Sequence, residues 1–183
     1  MTKKITQAEL NQILADHRLW LETDGSEGEC ANLTNADLTN ALAHGAELLN
    51  ANLHGANLTN ANLTNTNLFR ANLRGAILAN ADLTDADLTD ADLTSANLTG
   101  ANLFGADLTG AGLFGADLRG AGLFGADLIG ANLDRANLHG ANLPLSIRDC
   151  RSFRHAKFSA DALPWLILHP KWVEWKDAVQ IAG

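Results

Sequence analysis

The sequence predicts a solenoid, a fold in which the chain turns a corner at regular intervals and successive coils stack on one another. Three features of the 183-residue sequence predict this fold class. Residues 31–145 form 23 consecutive five-residue units without an insertion or a deletion. Leucine occupies the third place in 22 of the 23 units, and alanine occupies the first place in 22. The fifth place is mostly glycine, asparagine or aspartate, which are residues of turns.

A period of five fits neither an α-helix nor a straight strand. In a helix, successive leucines would rotate by about 140° and would not share a face. In a strand, an odd period would place every second leucine on the opposite side of the sheet. The leucines stay on one side if the backbone bends within each unit, because Asn, Asp and Gly tolerate positive φ. We therefore expect a coil with leucine inside and one corner per unit.

The tandem A-(D/N)-L-x-x units of residues 31–145 resemble the pentapeptide-repeat family. The resemblance implies an all-β solenoid, namely a right-handed quadrilateral parallel β-helix with four units per coil and about six coils. It also implies that the first and third places of each unit face the interior and that the other three places face solvent. The interior is then expected to contain Leu33, Leu53, Leu73, Leu88, Leu93, Leu113 and Leu133.

The chain is expected to fold as a single domain in three parts. We predict an N-terminal helical cap over residues 1–29, the β-helix over residues 30–160 and a C-terminal helical cap over residues 161–183. The caps have a physical purpose, because an open solenoid end is an exposed sheet edge that invites polymerisation.

Capping signals support a helix near each end of the sequence. Thr6 and Glu9 match a capping box, which predicts a helix over residues 6–21. Pro170 can occupy the first turn of a second helix. All four tryptophans lie in the terminal segments. They either pack the caps onto the coil or form an exposed surface for a partner or a homodimer, for which the candidate contacts are Trp172 and Trp175.

The unit pattern has two exceptions near its start and weakens near its end. Ala43 replaces a central leucine and Thr66 replaces a leading alanine, so we expect local irregularities at these units. Phe153 and Phe158 keep the central place in register beyond the uninterrupted units. We therefore expect the coil to continue to about residue 160, with phenylalanine in place of leucine near its end.

Charge and hydropathy argue against two classes of partner. The net charge of −8 argues against direct nucleic-acid binding, because contacts to phosphates need an excess of Lys and Arg. No apolar run approaches the roughly 20 residues that span a bilayer. The first residues contain two lysines but no apolar segment typical of a signal peptide. We expect a cytoplasmic protein that does not contact membranes.

The two cysteines are predicted to remain thiols. Cys30 and Cys150 are 120 residues apart, which in a coil of twenty residues places them in one column. At about 4.8 Å per coil they would lie about 29 Å apart, whereas a disulfide needs Cα atoms within about 7 Å. Reduced thiols are typical of cytosolic proteins.

The sequence contains no recognisable catalytic or cofactor-binding pattern. None of the six histidines has metal-ligand spacing with another histidine or a cysteine. Glycines recur every five residues, which is typical of turns rather than of a phosphate-binding loop. We therefore predict that the protein is not an enzyme and binds no metal or cofactor.

Acidic residues form the most informative pattern on the predicted surface. Glu47, Asp87, Asp107 and Asp127 are spaced by multiples of twenty, so they share one column, in which Asn67 fills the gap. Like charges about 5 Å apart repel and cost stability. The column either aids solubility or offers an anionic strip to a basic partner. A band around one coil adds further acids, which include Asp82 and Asp92.

Two phenylalanines are the second surface candidate. Phe104 and Phe124 are twenty residues apart and share a column, while Phe114 lies on the opposite side. At the fourth place their rings are exposed or lie flat on the solenoid wall. They either stack and support the structure or form a contact patch.

The sequence thus predicts a non-catalytic structural or protein-interaction module that presents flat acidic and polar faces. Some proteins of the family that the repeats resemble mimic duplex DNA and bind DNA gyrase, so a gyrase inhibitor or protector is the alternative. Residues 31–145 contain 11 acids and 4 bases, a net charge of −7. A duplex carries roughly 16 charges over the predicted length of about 28 Å, so the charge density of the solenoid is less than half that of DNA.

Overall fold

A computed structural model describes residues 3–162, 166 and 179–182. A short strand and a helix precede the repeats, and short strands and 3-10 helices follow them. In chain order these elements are β1 (Lys3–Lys4), α1 (Gln7–Glu22), β2 (Ala36–Asp37), β3 (Asn137–Leu138), a 3-10 helix (Leu145–Asp149), β4 (Lys157–Ser159), a 3-10 helix (Ala160–Ala162) and β5 (Gln180–Ala182).

Successive coils pair in parallel with a spacing of twenty residues. Second-place residues form the pairs, from Asn32 with Asn52 to Asn132 with Ser152. Twenty residues are four units, so each coil has four sides. Most of these pairings are single bridges rather than strands, because the turn in each unit leaves too few extended residues for a longer ladder.

The backbone turns a corner at every unit, as the spacing predicts. Every fifth-place residue from Asn35 to Gly140 has positive φ, including the uncommon cases Arg70 (55°) and Arg135 (62°). The turn is closed by the amide of the next first-place residue, as Ala36 N–H donates to the Leu33 carbonyl at 3.0 Å. This conformation favours glycine and asparagine, which explains why they dominate the fifth place.

Hydrogen bonds between coils repeat with the same period. Leu88 N–H donates to the Asp107 carbonyl at 2.7 Å, and Asp107 N–H donates to the Ala86 carbonyl at 2.9 Å. The fifth place contributes a third bond, as Asp90 N–H donates to the Thr109 carbonyl at 2.9 Å. Most main-chain donors of a unit are therefore satisfied by a neighbouring coil or by the turn.

Leucine and alanine columns form the interior of the solenoid. The predicted interior leucines are at most 2% exposed, namely Leu33, Leu53, Leu73, Leu88, Leu93, Leu113 and Leu133. In the last coil, Phe153 and Phe158 are fully buried and meet edge to face with ring centroids 5.8 Å apart. Phenylalanine therefore replaces leucine near the end of the coil, as the register predicts.

The two exceptions in the repeat do not disturb the ladder, so the expected irregularities are absent. Ala43 points inward at 5% exposure while Leu42 is 65% exposed, and Ala43 N–H still donates to the Asn62 carbonyl at 2.9 Å. Thr66 is fully buried, and its hydroxyl donates to the Ala43 carbonyl at 3.1 Å. The buried hydroxyl is tolerated because the neighbouring coil supplies its acceptor.

The N-terminal helix is confirmed, and its residues contact the first coils. Helix α1 begins after Thr6, and Thr6 and Glu9 form both hydrogen bonds of the predicted capping box. Strand β1 pairs in parallel with β2, which extends one side of the solenoid. The Gln7 side chain both donates to and accepts from the Leu42 main chain, at 2.8 and 2.9 Å. Two polar contacts and a strand pair thus join the N-terminal segment to the coil.

The C-terminal end contains elements that the repeat pattern does not predict. The 3-10 helix Leu145–Asp149 interrupts the regular units, after which β4 pairs with β3. Strand β5 then pairs in parallel with β4, which gives the order β3-β4-β5. The repeat pattern does not predict β5, because this strand lies beyond the five-residue units. The predicted helix start and the candidate dimer contacts lie outside the described residues, namely Pro170, Trp172 and Trp175.

Candidate interaction surface

The predicted column of acids is present in the structure, and we call it the acidic column (Glu47, Asn67, Asp87, Asp107 and Asp127). Its members bridge one another in parallel from coil to coil without interruption. The Asn67 amide donates to the Glu47 carboxylate at 2.9 Å, which joins the first two members. The structure therefore brings together four of the acidic candidates on one side of the solenoid.

Each aspartate of the acidic column has a local structural task. One carboxylate oxygen accepts the main-chain N–H two residues later, from Thr89 to Asp87, from Thr109 to Asp107 and from Ile129 to Asp127, each at 2.9 Å. Asn67 accepts the same bond from Phe69 N–H at 3.1 Å. At these positions Asn and Asp accept the same hydrogen bond, so the turn uses a side-chain oxygen there and does not depend on a negative charge.

The other two acidic candidates lie on the sides that flank the acidic column. Asp82 accepts hydrogen bonds from the Thr84 main chain and hydroxyl and from the Asn102 amide. Asp92 forms an ion pair with Arg74 at 3.4 Å. Burial acts to raise the pKa of Asp92, but hydrogen bonds from Thr94 and Arg74 outweigh it and lower this pKa. Asp92 is therefore partly neutralised, unlike the acidic column.

The ion-paired arginines of the repeat region contact acids that are not members of the acidic column. Arg70 pairs with Asp90 at 3.6 Å, and Arg119 pairs with Asp117 at 2.7 Å. The hydrogen bond from Arg119 holds the pKa of Asp117 below its usual range. Arg135 lies over the Phe114 ring, 5.3 Å from its centroid. Within the part of the chain that the structure describes, no ion pair involves an acid of the acidic column.

The two phenylalanine candidates stack on one another at a corner of the solenoid. The ring centroids of Phe104 and Phe124 are 5.9 Å apart with an interplanar angle of 21°. The residues remain 49% and 61% exposed. Each precedes an acid of the acidic column by three residues, so the stacked rings lie at the corner next to Asp107 and Asp127. Aromatic and acidic candidates thus form one continuous surface.

Side-chain contacts between the fourth place of one coil and the second place of the next were not predicted from the sequence. Arg74 is at a fourth place and reaches Asp92 at the second place of the next coil, eighteen residues later. Asn102 and Thr84 are also eighteen residues apart, and the Asn102 amide donates to the Thr84 hydroxyl at 2.9 Å. An eighteen-residue spacing between a long fourth-place side chain and an acid would have predicted the ion pair.

The described part of the chain contains neither a cluster of metal ligands nor a membrane-spanning helix. Among residues 3–162, 166 and 179–182, no group of three or more His, Cys, Asp or Glu residues is arranged to hold a metal ion. No helix within these same ranges is long and apolar enough to cross a bilayer. Cys30 and Cys150 form no disulfide. Burial raises the pKa of the Cys150 thiol to about 12.

The four-sided coil and its regular exposed columns define a solenoid repeat protein. The chain belongs to the pentapeptide repeat family, whose model matches residues 31–68, 66–103 and 111–146. Proteins of this family form right-handed quadrilateral β-helices, in agreement with the twenty-residue register. A comparison with curated proteins returns no significant match.

Several solved structures are similar to this chain. HetL, a pentapeptide repeat protein involved in heterocyst differentiation regulation in Nostoc sp. strain PCC 7120, is 40% identical over 70% of this chain, with a TM-score of 0.36. The match spans 62% of HetL. Rfr23, a pentapeptide repeat protein of Cyanothece 51142, is 30% identical over 70% of this chain and 94% of its own, with a TM-score of 0.44. A pentapeptide repeat protein of the Arabidopsis thaliana thylakoid lumen is 29% identical over 62% of this chain and 77% of its own, with a TM-score of 0.35.

Proposed function

We propose that the protein is a non-catalytic interaction module that binds a basic protein partner through the acidic column. One observation carries this proposal. Asn67 accepts the same turn hydrogen bond as its aspartate neighbours, so the charges of Asp87, Asp107 and Asp127 are not needed for the fold. Stacked like charges cost stability, and a partner with Lys or Arg offsets that cost.

The distribution of arginines supports the same proposal. Arg70, Arg74 and Arg119 pair with acids outside the acidic column. The carboxylates of the acidic column are thus left without an ion-pair partner among the described residues, and they attract a positively charged surface over a distance of several ångströms.

A retention experiment tests the proposal. Immobilised protein is incubated with lysate of the organism that encodes it, and retained proteins are identified by mass spectrometry. A triple variant, Asp87→Asn, Asp107→Asn and Asp127→Asn, preserves the turn acceptors and is expected to lose the specific partner. A control of equal charge change, Asp37→Asn, Asp117→Asn and Asp134→Asn, is expected to retain it. Equal retention by both variants would contradict the proposal.

The alternative function is mimicry of duplex DNA toward DNA gyrase. The straight spacing of the carboxylates along the rod favours it, since phosphates are also evenly spaced along a duplex. The low charge density disfavours it, as the net charge of −7 over residues 31–145 is less than half of the roughly 16 charges on a duplex of similar length. DNA supercoiling by gyrase with and without the protein tests this function, and supercoiling that is unchanged at micromolar protein eliminates it.

The number of coils and the presence of two caps are also part of the proposal. We infer about six coils with a helical cap at each end, supported at the N-terminus by α1 and by the pairing of β1 with β2.

A homodimer through Trp172 and Trp175 stays a prediction that light scattering at dilute concentration tests. A cytoplasmic location also stays a prediction, supported by the two reduced thiols, and fractionation of cells tests it.

A further inference from the structure

An apolar surface adjoins the C-terminal half of the acidic column. Phe104 and Phe124 stack at the corner and expose about half of their surface, and Leu145 is 66% exposed. A cavity of about 500 Å³ lies beside Phe124. Its lining includes Leu143 and Leu145 from the segment where the regular units end. A cavity of this size accommodates one or two large side chains of a partner.

Carboxylates border this apolar cavity. Asp127 and Asp161 are among the lining residues. One oxygen of Asp127 accepts the Ile129 N–H at 2.9 Å, so the carboxylate is held in a fixed orientation. No arginine or lysine is part of the lining as the structure describes it. An apolar side chain next to a cationic one therefore matches both the shape and the charge of the cavity.

Phe114 provides an internal comparison. It occupies the same place in a nearly identical unit, AGLFG, on the opposite side of the solenoid. Arg135 lies over its ring, 5.3 Å from the centroid. The faces of Phe104 and Phe124 receive no such cation from the described residues, since Arg135 and Arg70 lie over other rings. The stacked pair thus leaves a cation–π position available to a partner.

We propose that Phe104, Phe124, Leu145 and Asp127 form an anchoring site for a protein segment in which an aliphatic or aromatic side chain lies next to lysine or arginine. The apolar side chain enters the cavity, and the cationic one lies against the Phe rings and Asp127. This inference rests on the proposed function, because it names where and by what chemistry the basic partner is held. Exposed apolar patches that are bordered by charge are typical of protein interfaces.

Binding of defined peptides tests the site. The probe is a fluorescein-labelled peptide of sequence Lys-Leu-Lys-Phe-Lys-Leu-Lys, measured by fluorescence anisotropy with the full chain. Two comparison peptides replace either the apolar residues by glycine or the lysines by serine. We expect the probe to bind at least about tenfold more tightly than either comparison peptide, because only the probe satisfies both the cavity and the carboxylates.

Matched variants assign the binding to the site. Phe124→Ser is expected to weaken probe binding about tenfold or more, while Phe114→Ser changes it less than about twofold. Asp127→Asn, which keeps the turn acceptor, is expected to weaken binding more than Asp37→Asn, which removes an equal charge from the first coil. All four side chains are at least partly exposed, and circular dichroism verifies that each variant is folded.

The outcomes separate the anchoring site from the general proposal. Equal binding of the probe and the lysine–glycine peptide, or equal effects of Phe124→Ser and Phe114→Ser, would overturn the anchoring site. In that case the general proposal is tested separately by the retention experiment. If the triple acidic-column variant no longer retains the partner from lysate, the protein is still an interaction module, but the partner does not use the anchoring site. Failure of wild-type protein to bind the probe at hundreds of micromolar would also overturn the anchor. Self-association that blocks the probe, detected by light scattering, would assign the surface to a second copy and overturn the proposed partner.

Discussion

At the scale of the residue, each place of the unit follows a different physical rule. The third place must fill a narrow interior, so only Ala43 departs from leucine between residues 31 and 145. The second place most often holds Asn or Asp, whose side-chain oxygen accepts a main-chain N–H, as Asn67 and Asp87 illustrate. Gly112 occupies the same place, and the turn of its unit still forms. The fold therefore tolerates few residue types at the third place and many at the second.

A pair of leucine substitutions tests the interior assignment. Leu88→Lys places a charge where the wild-type side chain is fully buried, and an unpaired buried charge costs several kcal/mol. We expect this variant to unfold or aggregate. The control Leu42→Lys alters a residue that is 65% exposed, so its unfolding free energy should change by less than about 1 kcal/mol. Urea denaturation followed by circular dichroism compares them, and equal stability of both variants would refute the assignment.

At the scale of the element, one imidazole joins α1 to the first coil. His17 is fully buried, and its Nδ1 accepts the Ala31 N–H at 3.1 Å. Its ring stacks on Trp20 with centroids 5.7 Å apart, and Nε2 has no hydrogen-bond partner among the described residues. Burial lowers the pKa of His17 below its ordinary value of 6.5, although the nearby Leu49 carbonyl and Glu47 carboxylate act in the opposite direction. The neutral imidazole is therefore the form that the fold stabilises.

The stability of the protein should consequently fall as the pH falls below about 6.5. The unfolded chain binds a proton at His17 more readily than the folded one, so the contribution of His17 is complete above its unfolded pKa and is lost as the pH falls. His17→Asn keeps an acceptor oxygen near the position of Nδ1 but cannot titrate. We expect this variant to reduce the slope of unfolding free energy between pH 7 and pH 5 by up to about 1.4 kcal/mol per pH unit. The exposed His44 serves as the control, and a similar slope change in His44→Asn would contradict the role of His17.

At the scale of the whole molecule, acids outnumber bases and their charges are unevenly placed. The net charge is −8, and three of the four arginines in residues 31–145 pair with acids outside the acidic column. Repulsion between neighbouring coils then acts along one side of the rod. A solenoid distributes this cost over many interfaces between coils, because each coil contacts only its neighbours.

Salt is expected to stabilise the protein. Raising NaCl from about 10 mM to about 150 mM shortens the Debye length from about 30 Å to about 8 Å, which screens repulsion along the acidic column. If this relief amounts to about 1 kcal/mol, the melting temperature rises by about 2–4 °C. The triple variant Asp87→Asn, Asp107→Asn and Asp127→Asn is the control and should respond less. A melting temperature that falls with salt, or an equal rise in both proteins, would contradict this interpretation.

The period, the inward and outward places of each unit and the candidate columns follow from the amino-acid sequence alone. In a repeat solenoid the environment of a residue follows from its place in the unit, so Leu88 is buried and Phe104 stacks on Phe124 as their spacing indicates. Three features are evident only from the folded chain. They are the hydrogen bond from the Thr66 hydroxyl to the Ala43 carbonyl, the ion pair of Arg74 with Asp92 and the strand β5. These features depend on side-chain reach between unlike places and on how the chain closes the last coil, and neither is periodic in the sequence.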